Sequence, residues 1–71
     1  MFDKNKFRAK VVESGKTMEL LAKKIGINAA TLYRKVSQLS DFTRKEIEII
    51  VVELRLTGDE TNDIFFARDL R

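Results

Sequence analysis

Proline is absent from this chain, and glycine occurs only at positions 15, 26 and 58. Punctuation this sparse favours helices divided by short connections. The residues around each break support that reading. Asp3 can cap a first helix over about 4–14, with Phe7 and Val11 on one face, and Gly15 ends it. Thr17 caps a second helix, MELLAKKI, whose inner pair is Leu21 and Ile25. Its first turn holds Glu19, which the helix dipole favours. Gly26 stops this helix by taking a left-handed conformation cheaply. Asn28 can cap a third helix, AATLYRKV, with Leu32 and Val36 inward.

The polar stretch SQLSD makes the next connection. Thr43 with Glu46 reads as a capping box for a fourth helix over about 44–55. Thr57 with Glu60 repeats the signature for a short fifth helix ending near 65–67. Residues 68–71 are expected to fray. The segment IEIIVVEL could also form a strand, since β-branched residues dominate it. The capping box and the apolar set at 47, 50, 51 and 54 favour helix. The expectation is therefore an all-α, five-helix single domain spanning 1–71. Its core is expected to hold Phe7, Val11, Leu21, Ile25, Leu32, Val36, Ile47, Ile50, Val51 and Leu54.

With 71 residues, no cysteine and no histidine, the chain has few ways to reinforce a small core. Thiolate and imidazole metal sites are excluded, and no pair of acids forms a recognisable catalytic spacing. The reading is not an enzyme, with no cofactor, no metal and no small-molecule substrate. No apolar run approaches the length of a membrane span, and MFDKNKF is charged from the outset, so a cytoplasmic location and no membrane partner are expected. Charge is divided unevenly. Residues 1–36 hold nine Lys/Arg against three acids, and residues 37–71 hold five against eight. A basic half beside an acidic half points to a polyanion partner for the first, although a solvated surface would look similar.

The informative segment is 18–36. Two short helices meet across Gly26-Ile27-Asn28, with Ala22 small enough to allow a close crossing and Ile27 filling the angle between them. This is a helix-turn-helix pattern, and it leaves the outer face of the third helix free for bases. The run TMELLAKKIGINAATLYRKV, followed by SDFT and a capped fourth helix, resembles the lambda-repressor-like helix-turn-helix family of Cro and xenobiotic-response-element type. It looks most like the small regulators of Gram-positive phages.

The resemblance implies a dimeric transcription regulator of phage or mobile-element type, acting on double-stranded DNA. It implies that Asn28, Ala29, Ala30, Tyr33 and Arg34 face the groove. Arg34 could pair bidentately with guanine, and Ala29 or Ala30 could touch a thymine methyl. Asn28 either bonds a base or only caps its helix, and Tyr33 reaches a phosphate or lies along the sugar edge. Phosphate contacts are expected from Thr17, Lys35, Ser37, Gln38, Ser40, Thr43, Arg44 and Lys45, near the ends of helices. Lys23 and Lys24 add attraction at longer range. A solvated charged face is the plainer reading of Arg34 and Lys35.

Several positions depart from the family pattern. Met18 and Leu20 replace polar residues at the start of the second helix, Ser37-Gln38-Leu39 replaces a loop that often contains Asn-Gly, and Val36 is displaced by one place. These changes remove polar contacts from the expected DNA face. They open an alternative, a protein-interaction module such as an antirepressor, using Met18, Leu20 and Leu39. The fourth helix also has more hydrophobes than one face needs. Ile49, Val52 and Leu56, with Phe65 and Phe66, form a second apolar surface. It is either a homodimer interface or a stripe covered by the fifth helix.

Overall fold

A computed structural model describes residues 1–38 and 41–66. Among these residues the chain is all-helical, with five α-helices and no strand. They are α1 (Lys4–Ser14), α2 (Met18–Ile25), α3 (Ala29–Ser37), α4 (Arg44–Leu54) and α5 (Gly58–Phe65). None is long and apolar enough to cross a membrane.

Each helix starts where its capping chemistry predicts. Asp3 accepts from the backbone N–H groups of Asn5 and Lys6, Thr17 from Leu20, and Asn28 from Ala30. Thr43 with Glu46 and Thr57 with Glu60 form complete capping boxes. These bonds satisfy amides that have no partner inside the helix. Two stops are the expected glycines, Gly15 at φ +74° and Gly26 at φ +89°. The stop of α4 is different. Arg55 adopts the same left-handed conformation at φ +54° without being glycine, and the N–H of Leu56 then bonds the Val51 carbonyl at 3.0 Å. Nothing in the sequence signals that turn.

α2 packs on α3 and α4, and α1 packs on α4 and α5. Phe7, Leu21, Leu32, Val36, Ile50 and Ile64 fill the centre, each at most 1% exposed. Ala22 is buried at the α2 crossing, as its small size suggests. Ile25, Ile47 and Val51 belong to the edge of this core, half-buried and packed against it. Phe2, Leu56, Ile64 and Phe65 join it although the sequence reading leaves them out. Phe2 precedes the first cap, and its ring lies 5.0 Å from Phe42 and 5.6 Å from Phe65, centroid to centroid.

Leu56 and Phe65 correct the expected dimer surface. The chain turns at Arg55 in the left-handed conformation, α5 packs against α1, and both side chains are buried within the protomer. Of the second apolar surface, Val52 and Phe66 stay exposed, at 71% and 55%, and Ile49 is half-buried. Part of the stripe is therefore buried within the protomer and part is open. The expected frayed segment, 68–71, lies outside the described residues.

Candidate nucleic-acid interface

α2 and α3 are joined by a turn of three residues. Both the Gly26 and Ile27 amides bond the Ala22 carbonyl, at 2.9 and 3.0 Å, which closes α2 tightly. Ile27 then packs against the core, and Asn28 opens α3. Leu32 and Val36 anchor α3 inward with almost no exposure. The helical period therefore turns Ala30, Tyr33, Arg34 and Ser37 outward on one stripe, and all four are exposed.

Two polar contacts fix what flanks that stripe. The Tyr33 hydroxyl donates to Glu19 Oε2 at 3.4 Å, linking the middle of α3 to the first turn of α2. The Lys35 ammonium donates to the Asp41 carbonyl at 3.1 Å and to Glu46 Oε1 at 3.4 Å, with the Phe42 ring centroid 5.2 Å away. This links the last turn of α3 to the start of α4. The N-terminal ends of α2 and α4 are thereby held beside the middle and the last turn of α3. Each such end offers free amides and the positive end of a helix dipole.

The expected base-facing residues divide into two groups. Ala30, Tyr33 and Arg34 stand on the exposed stripe. Among the described residues Arg34 bonds only within its own helix, Nη2 to Thr31 Oγ1 at 3.5 Å, and its side chain is exposed. Ala29 is half-buried and packs against the core, so only part of its methyl surface is available. Asn28 is exposed, but its Oδ1 already accepts from Ala30 N–H at 2.7 Å. Of the two roles open to it, capping is therefore filled, and its amide NH₂ is the part left for other partners.

Among the expected phosphate ligands, Arg44 and Lys45 project from the first turn of α4 and are exposed. Gln38 is exposed at the end of α3, while Ser37 donates back to the Arg34 carbonyl at 3.2 Å. The Thr17 and Thr43 oxygens accept cap bonds, at 3.1 Å in both cases, and keep their hydroxyl protons for another acceptor. Lys35 is a correction. Its ammonium is held by Asp41, Glu46 and the Phe42 ring, so it organises the α3–α4 connection and is not a free cation. Ser40 lies outside the described residues. Lys23 and Lys24, in the last turn of α2, are exposed.

No family model, curated protein or solved structure matches the chain.

One member of this surface escapes the sequence reading. Glu19 is assigned there only to the dipole of α2, yet its carboxylate also accepts from Tyr33 on the outward stripe of α3. The signal for it lies in composition, because it is the one acid between Ser14 and Ser40.

Proposed function

We propose that this chain is a sequence-specific DNA-binding regulator of the lambda-repressor-like kind, of phage or mobile-element type, which inserts α3 into the major groove of double-stranded DNA. The observation that carries the reading is the outward stripe Ala30-Tyr33-Arg34-Ser37 on a helix anchored by Leu32 and Val36. A helix held rigidly from behind and bare in front is what base-edge contact requires. The flanking starts of α2 and α4 supply amides, hydroxyls and the exposed cations Arg44 and Lys45 for phosphates. A twofold pair of such modules, joined through Val52 and Phe66, would set two α3 helices about 34 Å apart, one turn of DNA.

Gel-shift titration of the full chain at two salt concentrations tests this, because binding carried by phosphate contacts must weaken as salt rises. Selection from a random duplex pool tests sequence preference and symmetry together. A palindromic consensus is the expected result. Salt-independent retention, or no retention at low salt, would remove the proposal.

A second reading has one observation in its favour. Phe42, Ile47, Val51, Val52, Leu56 and Phe66 line a groove of about 840 Å³ between α4 and α5. An open apolar groove suits a protein contact, either a second copy or another chain. An interaction module using the α2 face as well has less support, because Met18 packs against the core. Leu39 lies outside the described residues.

A further inference from the structure

Between Ser14 and Ser40 the sequence carries five cations and a single acid, Glu19. On a surface that binds phosphates, one carboxylate weakens attraction to every sequence alike. A first-turn acid does suit the dipole of α2. That role needs no neighbour on another helix, yet Glu19 accepts from the Tyr33 hydroxyl, on the outward stripe of α3. No cation pairs with Glu19 among the described residues, and the side chain is exposed. The phenol engages Oε2, and Oε1 has no hydrogen-bond partner among the described residues.

We propose that Glu19 is a specificity-determining residue that, held by Tyr33, selects the exocyclic amino group of a cytosine in the major groove. The inference rests on the DNA-binding reading above. Cytosine is the base that fits. Its major-groove edge presents the N4 donor alone, whereas adenine sets the N7 acceptor beside its donor, and guanine and thymine present acceptors. A carboxylate attracts the first edge and is repelled by the others. The guanine opposite that cytosine offers O6 and N7, the pair of acceptors that suits a guanidinium such as Arg34. Glu19 thus trades general affinity for discrimination.

The two effects have opposite signs, and one experiment separates them. The full chain and its Glu19→Ala, Glu19→Gln and Tyr33→Phe variants are each used to select duplexes from a random pool. Each is then titrated on the parent's consensus and on random DNA, with circular dichroism as the control for folding. The parent should select a C·G pair at one position. Glu19→Ala should bind random DNA more tightly and lose the preference at that position by about tenfold or more. Glu19→Gln should shift the preference toward adenine, whose N6 and N7 match an amide. Tyr33→Phe should weaken the cytosine preference without raising affinity for random DNA. If Glu19→Ala keeps the parent's consensus and binds all sequences more tightly, Glu19 is only an electrostatic brake and the inference is wrong. If the parent retains no duplex at low salt, the DNA-binding reading itself fails, and this inference with it.

Discussion

Lys10 of α1 and Glu60 of α5 form an ion pair that joins the first helix to the last. Glu60 is also the return arm of the α5 capping box, accepting from Thr57 N–H at 2.9 Å. Lys10 bonds Glu13 as well, at 3.0 Å. The bonds from Lys10 and from the Thr57 amide hold the Glu60 carboxyl below its ordinary value of 4.5. Those from Glu60 and Glu13 raise the Lys10 ammonium above 10.5. The sign of the pH dependence follows from these directions. A depressed carboxyl contributes stability above its unfolded value and loses it as pH falls through the folded one. A raised ammonium contributes below its unfolded value and loses it as pH rises through the folded one. The pair should therefore act fully between about pH 4.5 and 10.5 and fade on both sides. Melting curves across this range should show a smaller acid-side loss for Glu60→Gln than for the parent. Both side chains are partly exposed, so added salt should shrink the difference.

Leu32 is fully buried behind the outward stripe. Leu32→Ala should cost about 2–5 kcal/mol and lower the melting temperature by roughly 10 °C or more. A melting temperature close to the parent's would mean that α3 is not anchored as described.

Arg34→Ala should weaken binding to the selected site by about 1–3 kcal/mol and relax preference at one base pair. Lys45→Ala should weaken all sequences alike and reduce the salt slope by about one. Lys35→Met should behave unlike either, lowering thermal stability while leaving the salt slope nearly unchanged, because its ammonium is engaged with Asp41 and Glu46. Equal losses on cognate and random DNA for Arg34→Ala would show that it does not read a base.

Arg55 occupies the left-handed region with a β-carbon. That conformation costs a non-glycine residue about 1–2 kcal/mol. Arg55→Gly should relieve it, and the flexibility gained in the unfolded chain should offset part of the gain. The expected net effect is about 0.5–1 kcal/mol, or a few degrees in melting temperature. A destabilised variant would show that the Arg55 side chain makes a contribution larger than the backbone strain.

Val52 is 71% exposed on α4 beside the α4–α5 groove. Val52→Glu should leave the protomer folded by circular dichroism. If twofold pairing uses this surface, sedimentation of the parent at high micromolar concentration should give a dimer mass and the variant a monomer mass. A parent that stays monomeric, both free and on DNA, would exclude pairing here.

The helix starts were legible because each depends on one side chain bonding an amide two or three residues ahead. Asp3, Thr17, Asn28, Thr43 and Thr57 carry that chemistry in their own identity. The inner faces of α2 and α3 were legible for a similar reason, since Leu21, Leu32 and Val36 follow the helical period. Burial at the C-terminal end was not legible. Whether Leu56 and Phe65 face solvent or core depends on the turn at Arg55, which uses a residue type that does not advertise it. The candidate interface divides the same way. The exposed stripe of α3 follows from period alone, whereas the engagement of Lys35 depends on where Asp41, Phe42 and Glu46 fall in space. Glu19 stands in the first turn of α2 as expected, but a dipole argument considers one helix at a time, so its contact with Tyr33 on another helix was not legible.

The N–H of Asp3 bonds the Ile64 carbonyl at 2.7 Å, so residues 61 positions apart share a backbone hydrogen bond. Amides near the start of a chain ordinarily exchange with solvent by local fraying. This one is shielded by the far end of the sequence, beside the rings of Phe2 and Phe65. Its deuterium exchange should follow the opening of α5 away from α1, making a residue near one end of the chain a reporter on the integrity of the whole bundle.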